Sequence, residues 1–336
     1  MEVGDLMKIV FYNKFLLSGG IEKCIELLSK YIYKDYEIEV VYSDSSKLDP
    51  NIVNILERYA KVYELKAGMN IECDICIWCY LYFDYYKLKS IIHAKEYIAW
   101  IHSMPRILPD CLLDNVDFVN DCSKFICVSE AVKKHLEISK EGEVIHNFMD
   151  ESIKKLGEEG NPFDGVGEDI LKLAVVSRLS NGKGFERLLN LVKSLKANEI
   201  PFKLIIVGKG RAKEAEIRSW FEQYEEVEFV GYQENPYPYV KNADYLVQLS
   251  DDESWCNSIT EAKILGVPVV VTNFESSYEQ VKDGNNGIIV DLDIIDYTTT
   301  IDRMIGEKSN LKRNLVGFEF HNEISKWYDI FNEVEK

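Results

Sequence analysis

Residues 251–272, DDESWCNSITEAKILGVPVVVT, decide the fold. They follow an apolar run at 243–249, cross a polar turn, enter a short helix and leave through Gly266-Val267-Pro268 into an all-apolar strand. A buried strand feeding a turn and a helix, then a second buried strand, is the repeating step of a parallel α/β sheet. Glu253 and Glu261 are separated by seven residues, which puts the first on the loop after a strand and the second one or two turns into the helix. Between them, the N–H groups near Asn257 and Ser258 lie at the positive end of the helix dipole, a place for an anion. Glu261 can accept from hydroxyls beside it, so the stretch can hold a phosphate next to a sugar. The same letters, Ser258-Ile259-Thr260-Glu261, also spell a capping box in which Glu261 closes back on the Ser258 amide. The stretch alone leaves both readings open.

The chain has 336 residues, long for one core and natural for two α/β domains. Its formal charge is -18, and both halves share it: residues 1–150 carry 17 Lys+Arg against 24 Asp+Glu, the rest 22 against 33. An acidic surface argues against a nucleic-acid partner. No apolar run reaches the ~18 residues of a membrane span. Residues 1–5 are acidic and the apolar run after Lys8 is short, so no signal peptide is expected and the chain reads as cytoplasmic. Eight cysteines in a chain this long do not make a disulfide scaffold. Cys73, Cys76 and Cys79 have metal-like spacing, but they sit in a strand-like run. Alternation turns Cys76 away from the other two, and Cys73 and Cys79 stand roughly 20 Å apart, so they read as structural thiols.

The order of elements repeats the same step. Strand 8–12 is followed by Ser18-Gly19-Gly20 and a helix with Ile21, Ile25, Leu28 and Ile32 on one stripe; the two glycines let backbone amides approach a ligand. Strands are expected at 37–42, 61–65, 74–80, 97–101, 124–128 and 144–147, and helices at 52–59, 82–95 and 130–138. His102, followed by Ser103 and Pro105, stands just past a strand's carboxyl end, where ligand crevices of open α/β sheets lie. Residues 150–169 are polar and glycine-bearing and read as a linker. The pattern then restarts: strand 171–176, the loop Ser177-Arg178-Leu179-Ser180-Asn181-Gly182-Lys183-Gly184, an amphipathic helix from Phe185, strand 203–207 leading to Gly208-Lys209-Gly210, a helix to Tyr224, strand 227–230 leading to Gly231-Tyr232, a turn and short helix at 235–240, and strand 288–290. A last helix over 318–334 carries Phe320, Ile324, Trp327, Tyr328 and Phe331 on one face.

Taken together, the Gly19-Gly20-x-Glu22 turn, VSRLSNGKGFERLL, LIIVGKG, VEFVGY, Glu253-x7-Glu261 with AKILGVPVVVT, and DGNNGIIV resemble the retaining nucleotide-sugar glycosyltransferases of family 4. No single piece is specific; their order and spacing are, over nearly the whole chain. The resemblance implies the GT-B fold: two facing Rossmann-like domains with parallel sheets, residues 1–150 on the acceptor side and 170–317 binding the nucleotide sugar, joined by linker 151–169, with a helix at 318–336 crossing back to the first domain. It implies that Arg178 and Lys183 grip the donor diphosphate, as two cations at the mouth of a strand–helix turn can. By the same resemblance Glu261 holds the ribose, and Glu253 works beside the donor sugar. Trp255 and the amides of Cys256, Asn257, Ser258 and Ile259 approach sugar and phosphate. Gly19 and Gly20 cover the diphosphate, Gly208 belongs to the donor site, Gly231 and Tyr232 lie beside the base, and His102 contacts the donor sugar. Two departures stand out: Ser254 and Trp255 where the family has Gly and Phe, and Asn147-Phe148 where an Asn-Gly turn is common.

These implications make the expected activity hexosyl transfer with retention from a nucleotide-diphosphate sugar, UDP-linked, to a glycan or lipid-linked acceptor in cell-surface polysaccharide or glycoconjugate synthesis. No cofactor and no metal are expected, since Asp251 and Asp252 are adjacent and point apart if extended. The mixed aromatic and basic residues of 82–95 suggest peripheral contact with the inner membrane face, and donor binding should close the two domains. The alternatives are a non-catalytic partner subunit of the same fold, a same-fold nucleotide-sugar epimerase, and a dinucleotide oxidoreductase, the last weakened because Gly208-Lys209-Gly210-Arg211-Ala212-Lys213 lacks the third glycine of the fingerprint.

Overall fold

Val269–Thr272 is apolar at three successive positions, and the two faces of the strand divide them: Val269 and Val271 join one core, Val270 the other. A strand buried on both faces needs helices above and below, which is the arrangement throughout this protein. The computed structural model describes residues 6–17, 19–104, 111–210 and 212–334; Met1 to Asp5, Ser18, Pro105 and Arg211, which enter the sequence reading, lie outside the described residues. The chain divides into two compact units, the first formed by residues 1–148 with 322–336, the second by 149–321.

Among the described residues of the first unit, seven strands form one parallel sheet: β1 (Lys8–Tyr12), β2 (Glu37–Tyr42), β3 (Lys61–Glu64), β4 (Ile71–Trp78), β5 (Ile92–Ile101), β6 (Cys122–Cys127) and β7 (Gly142–Val144). Their order is β3-β2-β1-β4-β5-β6-β7, so the direction of winding reverses between β1 and β4. The helix Ile324–Val334 belongs to this unit. Its Trp327 is fully buried, with its ring 4.8 Å from Trp100 and 5.7 Å from Phe331. Tyr328 is only half-buried, because its hydroxyl reaches out to Asp35 at 2.7 Å.

Several elements differ from those expected. The helix expected over 82–95 is confined to Tyr85–Lys89, and β5 already begins at Ile92. Tyr85, Ile91 and Ile92 point inward, Lys89 pairs with Asp121, and Lys95 pairs with Asp74 at 2.6 Å. Of the aromatics and cations in this stretch, Tyr86 and Lys87 are exposed side by side. The last helix begins at Ile324, not 318; Phe318 and Phe320 pack instead on the second unit's core. The helix Thr298–Asn314 has no counterpart in the sequence reading. Its buried residues, Thr300, Ile301, Met304 and Leu311, are too few and too widely spaced to mark an apolar stripe.

The second unit, among its described residues, holds a six-stranded parallel sheet: β8 (Leu171–Val176), β9 (Phe202–Val207), β10 (Val227–Gly231), β11 (Tyr245–Gln248), β12 (Val269–Thr272) and β13 (Gly287–Val290), in the order β10-β9-β8-β11-β12-β13. One face packs Leu173, Leu204, Ile206, Tyr245 and Val247 beneath the helices Phe185–Ala197 and Thr298–Asn314. The other packs Leu246, Val269 and Val271 beneath the helix Asn257–Ile264. The polar stretch 150–169 is anchored to this unit by the buried side chains of Ile153 and Phe163. Winding reverses between β8 and β11, and loops leaving the carboxyl ends of two such neighbouring strands form a crevice.

Candidate active site

The loop after β8, residues 177–184, and the loop after β11, residues 249–256, leave adjacent strands at that reversal. Their approach is close enough to dictate sequence. Gly184 has φ +70, and a Cβ there would stand 1.6 Å from the Leu249 carbonyl oxygen. Gly208, after β9, has φ +138, and a Cβ would stand 1.9 Å from the Ser177 carbonyl oxygen. Only glycine serves at either position. The Asp251 amide donates to the Gly182 carbonyl at 2.9 Å. Arg187, on the helix that follows the first loop, donates through Nε to the Leu249 carbonyl at 2.9 Å and pairs with Asp251.

This packing brings Lys183 to Glu253. Lys183 Nζ stands 2.6 Å from Glu253 Oε1, and the two side chains are only 20% and 14% exposed. The same carboxylate oxygen accepts from Ser250 Oγ at 2.8 Å and from Gln248 Nε2 at 3.3 Å. Gln248 also donates to Ser250 Oγ at 2.6 Å. Glu253 thus keeps two neutral donors of its own, so Lys183 can turn toward an incoming anion without leaving a bare carboxylate behind. Arg178, on the same loop as Lys183, is exposed.

The helix Asn257–Ile264 starts beside this cluster. Its N-cap is Cys256, which gives no side-chain cap, and Ser258 lies inside the first turn. A capping box closed by Ser258 is therefore not the arrangement here; Ser258 Oγ instead contacts Cys256 Sγ at 3.2 Å and Gln248 Oε1 at 3.5 Å. Ile259 is buried in the core beneath, while Trp255, Asn257, Ser258 and Glu261 are half-buried at the rim. On the other side of β8, the Gly208 amide donates to the Gly231 carbonyl at 2.8 Å, and Lys209 Nζ lies 4.9 Å from the centre of the exposed Tyr232 ring.

In the first unit, Gly19 and Gly20 are exposed at the start of the helix Gly20–Ile32. Behind them, the buried Glu22 carboxylate accepts from the Leu17 amide at 3.1 Å and from Asn13 Nδ2 at 3.2 Å, which shapes the turn. His102 follows β5 and lines a small cleft of about 50 Å³ with Ile21, Cys79, Tyr80 and Tyr82. Its ring packs 4.4 Å from Trp100, and its buried Nε2 has no hydrogen-bond partner. Burial pushes its pKa down from 6.5 to about 3, so it is neutral at physiological pH. All eight cysteines are buried free thiols. Among the described residues, no group of three or more His, Cys, Asp or Glu side chains is placed to hold a metal ion.

Two residues of this cluster escaped the sequence reading: Gln248 and Ser250. Gln248 did leave a signal, as the polar residue near the end of the otherwise apolar run 245–249. A buried amide at a strand's carboxyl end must find partners, and the loop beyond is where they are.

Residues 163–316 match the family described as Glycosyl transferases group 1. An uncharacterized 41.2 kDa protein in the cps region of Klebsiella pneumoniae is 26% identical over 211 residues, 59% of this chain and 52% of that protein. The lipopolysaccharide core biosynthesis glycosyltransferase LpsE of Rhizobium meliloti is 32% identical over 84 residues, 25% of each chain. The match thus spans about half of one curated relative and a quarter of the other. Among solved structures, a glycosyltransferase from Rickettsia africae superimposes with a TM-score of 0.74 at 14% identity, covering 98% of this chain and 99% of that one. Anabaena Alr3699/HepE in complex with UDP and glucose gives 0.74 at 17% identity, covering 92% and 93%. The fold is that of GT-B glycosyltransferases, two Rossmann-like α/β domains with parallel sheets, as the sequence resemblance implied.

Proposed function

From the match of residues 163–316 to glycosyl transferases group 1, we propose that the protein is a retaining glycosyltransferase. It moves a hexose from a UDP-linked donor to a glycan or lipid-linked acceptor in the synthesis of a cell-surface polysaccharide. The observation that carries this reading is the meeting of Lys183 and Glu253 at 2.6 Å where the sheet reverses, beside the start of the helix Asn257–Ile264. A cation, a satisfied carboxylate and a helix N-terminus are the parts needed to hold a diphosphate next to a sugar.

In this reading Lys183 and Arg178 neutralise the donor diphosphate and the charge that develops on it as the glycosidic bond breaks. The amides at the start of the helix take the phosphate oxygens. Glu253 faces the sugar and Glu261 the ribose hydroxyls, while the exposed Tyr232 ring and the Gly231 backbone flank the base. Neutral His102 gives its own unit's cleft a hydrogen-bonding nitrogen and no charge. The presence of UDP in the HepE structure and the lipopolysaccharide role of LpsE favour a UDP donor and a surface-glycan product. Among the described residues no helix is long and apolar enough to cross a membrane.

The test is a donor screen. Purified protein is incubated with common UDP- and GDP-sugars and nucleotide release is measured, with Arg178→Ala run alongside. Release from one donor, lost in the variant, supports the assignment; no release from any donor, with or without a crude glycan acceptor, counts against it.

A further inference from the structure

The loop 253–256 is braced from outside its own stretch. Ser276 Oγ donates to the Glu253 carbonyl at 2.7 Å. Four residues on, Gln280 takes the other end: its Oε1 accepts from the Cys256 amide at 3.0 Å, and its Nε2 donates to the Cys256 carbonyl at 2.9 Å and to Thr260 Oγ1 at 3.0 Å. Ser276 and Gln280 are 0% and 3% exposed. The Gln280 amide therefore pairs with both the donor and the acceptor of one peptide residue, as a neighbouring strand would. Cys256 gives the helix Asn257–Ile264 no side-chain cap.

Gln280 is itself held from that helix. Lys263 Nζ donates to the Gln280 carbonyl at 2.6 Å and sits 4.9 Å from the centre of the Phe318 ring. The helix is thus tied to Gln280 through Cys256, Thr260 and Lys263, at its cap, its first turn and its last.

We propose that Gln280 is a positioning residue for the donor: by fixing the Cys256 peptide it sets the direction of the amides that begin the helix Asn257–Ile264. This rests on the glycosyltransferase reading above and adds to it a residue outside the stretch 251–261. Nothing in the Gln280 side chain need touch the donor. Its effect passes through the peptide it holds, and a loop carrying Ser254, Trp255 and Cys256 is held by this external amide rather than by a cap of its own.

Two measurements test the proposal separately. Hydrogen exchange of the peptide spanning 251–260, in the free protein, reports on the clamp without any donor. In Gln280→Leu it should speed up about tenfold while β11 and β12 stay protected. Calorimetric binding of UDP reports on the consequence, and Gln280→Leu should weaken it about tenfold. Tyr245→Phe, which removes a buried 2.9 Å hydrogen bond to the Met304 carbonyl elsewhere in the same unit, should keep wild-type UDP affinity. Gln280→Glu adds a pH signature: protonated, its carboxyl can donate to the Cys256 carbonyl as the amide does, and ionised it cannot. UDP affinity of that variant relative to wild type should recover as pH falls from about 8 to about 5.5, and this arm remains decisive even if the leucine variant fails to fold. Unchanged exchange in Gln280→Leu overturns the clamp. Faster exchange with unchanged UDP affinity overturns the positioning role. A wild-type protein that binds no UDP overturns the UDP donor reading, and the positioning role with it, while the exchange data still judge the clamp.

Discussion

Replacing Lys183 by Met removes the charge and keeps most of the side chain's bulk, and the structure sets the size of two separate effects. Lys183 and Glu253 are 20% and 14% exposed, so the pair lies between surface pairs, worth about 0–1 kcal/mol, and buried pairs, whose breaking costs about 3–5 kcal/mol. Glu253 keeps Ser250 Oγ and Gln248 Nε2 as donors, which places the expected stability loss of Lys183→Met at about 1–2 kcal/mol. Glu253→Gln should cost a similar amount, and the double variant less than the sum, with a coupling of about 1 kcal/mol. Donor turnover should behave differently. If Lys183 meets the charge that develops on the leaving diphosphate, its loss removes about 3 kcal/mol of transition-state stabilisation, roughly a hundredfold in rate, and Glu253→Gln cannot restore it. Urea denaturation gives the first set of numbers and nucleotide release at saturating donor the second. Near-normal turnover in Lys183→Met would refute the assignment, and purely additive stabilities would show that the 2.6 Å contact is not an energetic pair.

Three further outcomes follow from the same geometry. Gly184→Ala must both hold φ +70 with a Cβ and displace the Leu249 carbonyl; it should destabilise the second unit by about 2–4 kcal/mol and abolish donor turnover, and wild-type melting would show that the two loops do not meet. His102, held near 3 in the folded protein against 6.5 when unfolded, makes the unfolded state bind more protons between those values, so stability should fall as pH drops from about 6.5 toward 3; His102→Gln should flatten that fall, and identical pH–stability curves would contradict it. UDP should bind equally with and without a chelator in calorimetry, and strict dependence on Mg²⁺ or Mn²⁺ would overturn the metal-free reading of the site.

The parallel sheets were legible because strands buried on both faces leave unbroken apolar runs, as at 173–176 and 269–271, and because turns rich in glycine mark their carboxyl ends. What misled was composition read without its partners. The stretch 82–95 looks like one amphipathic helix with a basic, aromatic face. Two of its three lysines are paired with Asp121 and Asp74, acids 32 and 21 residues away that no local pattern connects to it. The helix Thr298–Asn314 hides for the opposite reason, since a helix covering one edge of a core needs few apolar residues and can look like a polar loop.

The site divides along the same line. Gly184 and Gly208 stand in recognisable turns, yet their necessity lies in carbonyl oxygens of Leu249 and Ser177 that only the fold brings near. Lys183 and Glu253 were each legible from position after a strand, but their pairing across 70 residues was not. Gln280 is the extreme case. Its sequence neighbours, SSYEQVKDG, read as an ordinary polar turn, because a side-chain amide pairing with one distant peptide leaves no periodicity and no motif. Buried polar side chains become informative only when their partners are counted, and here the count leads from Gln280 through Cys256 to the start of the helix where the anion is expected.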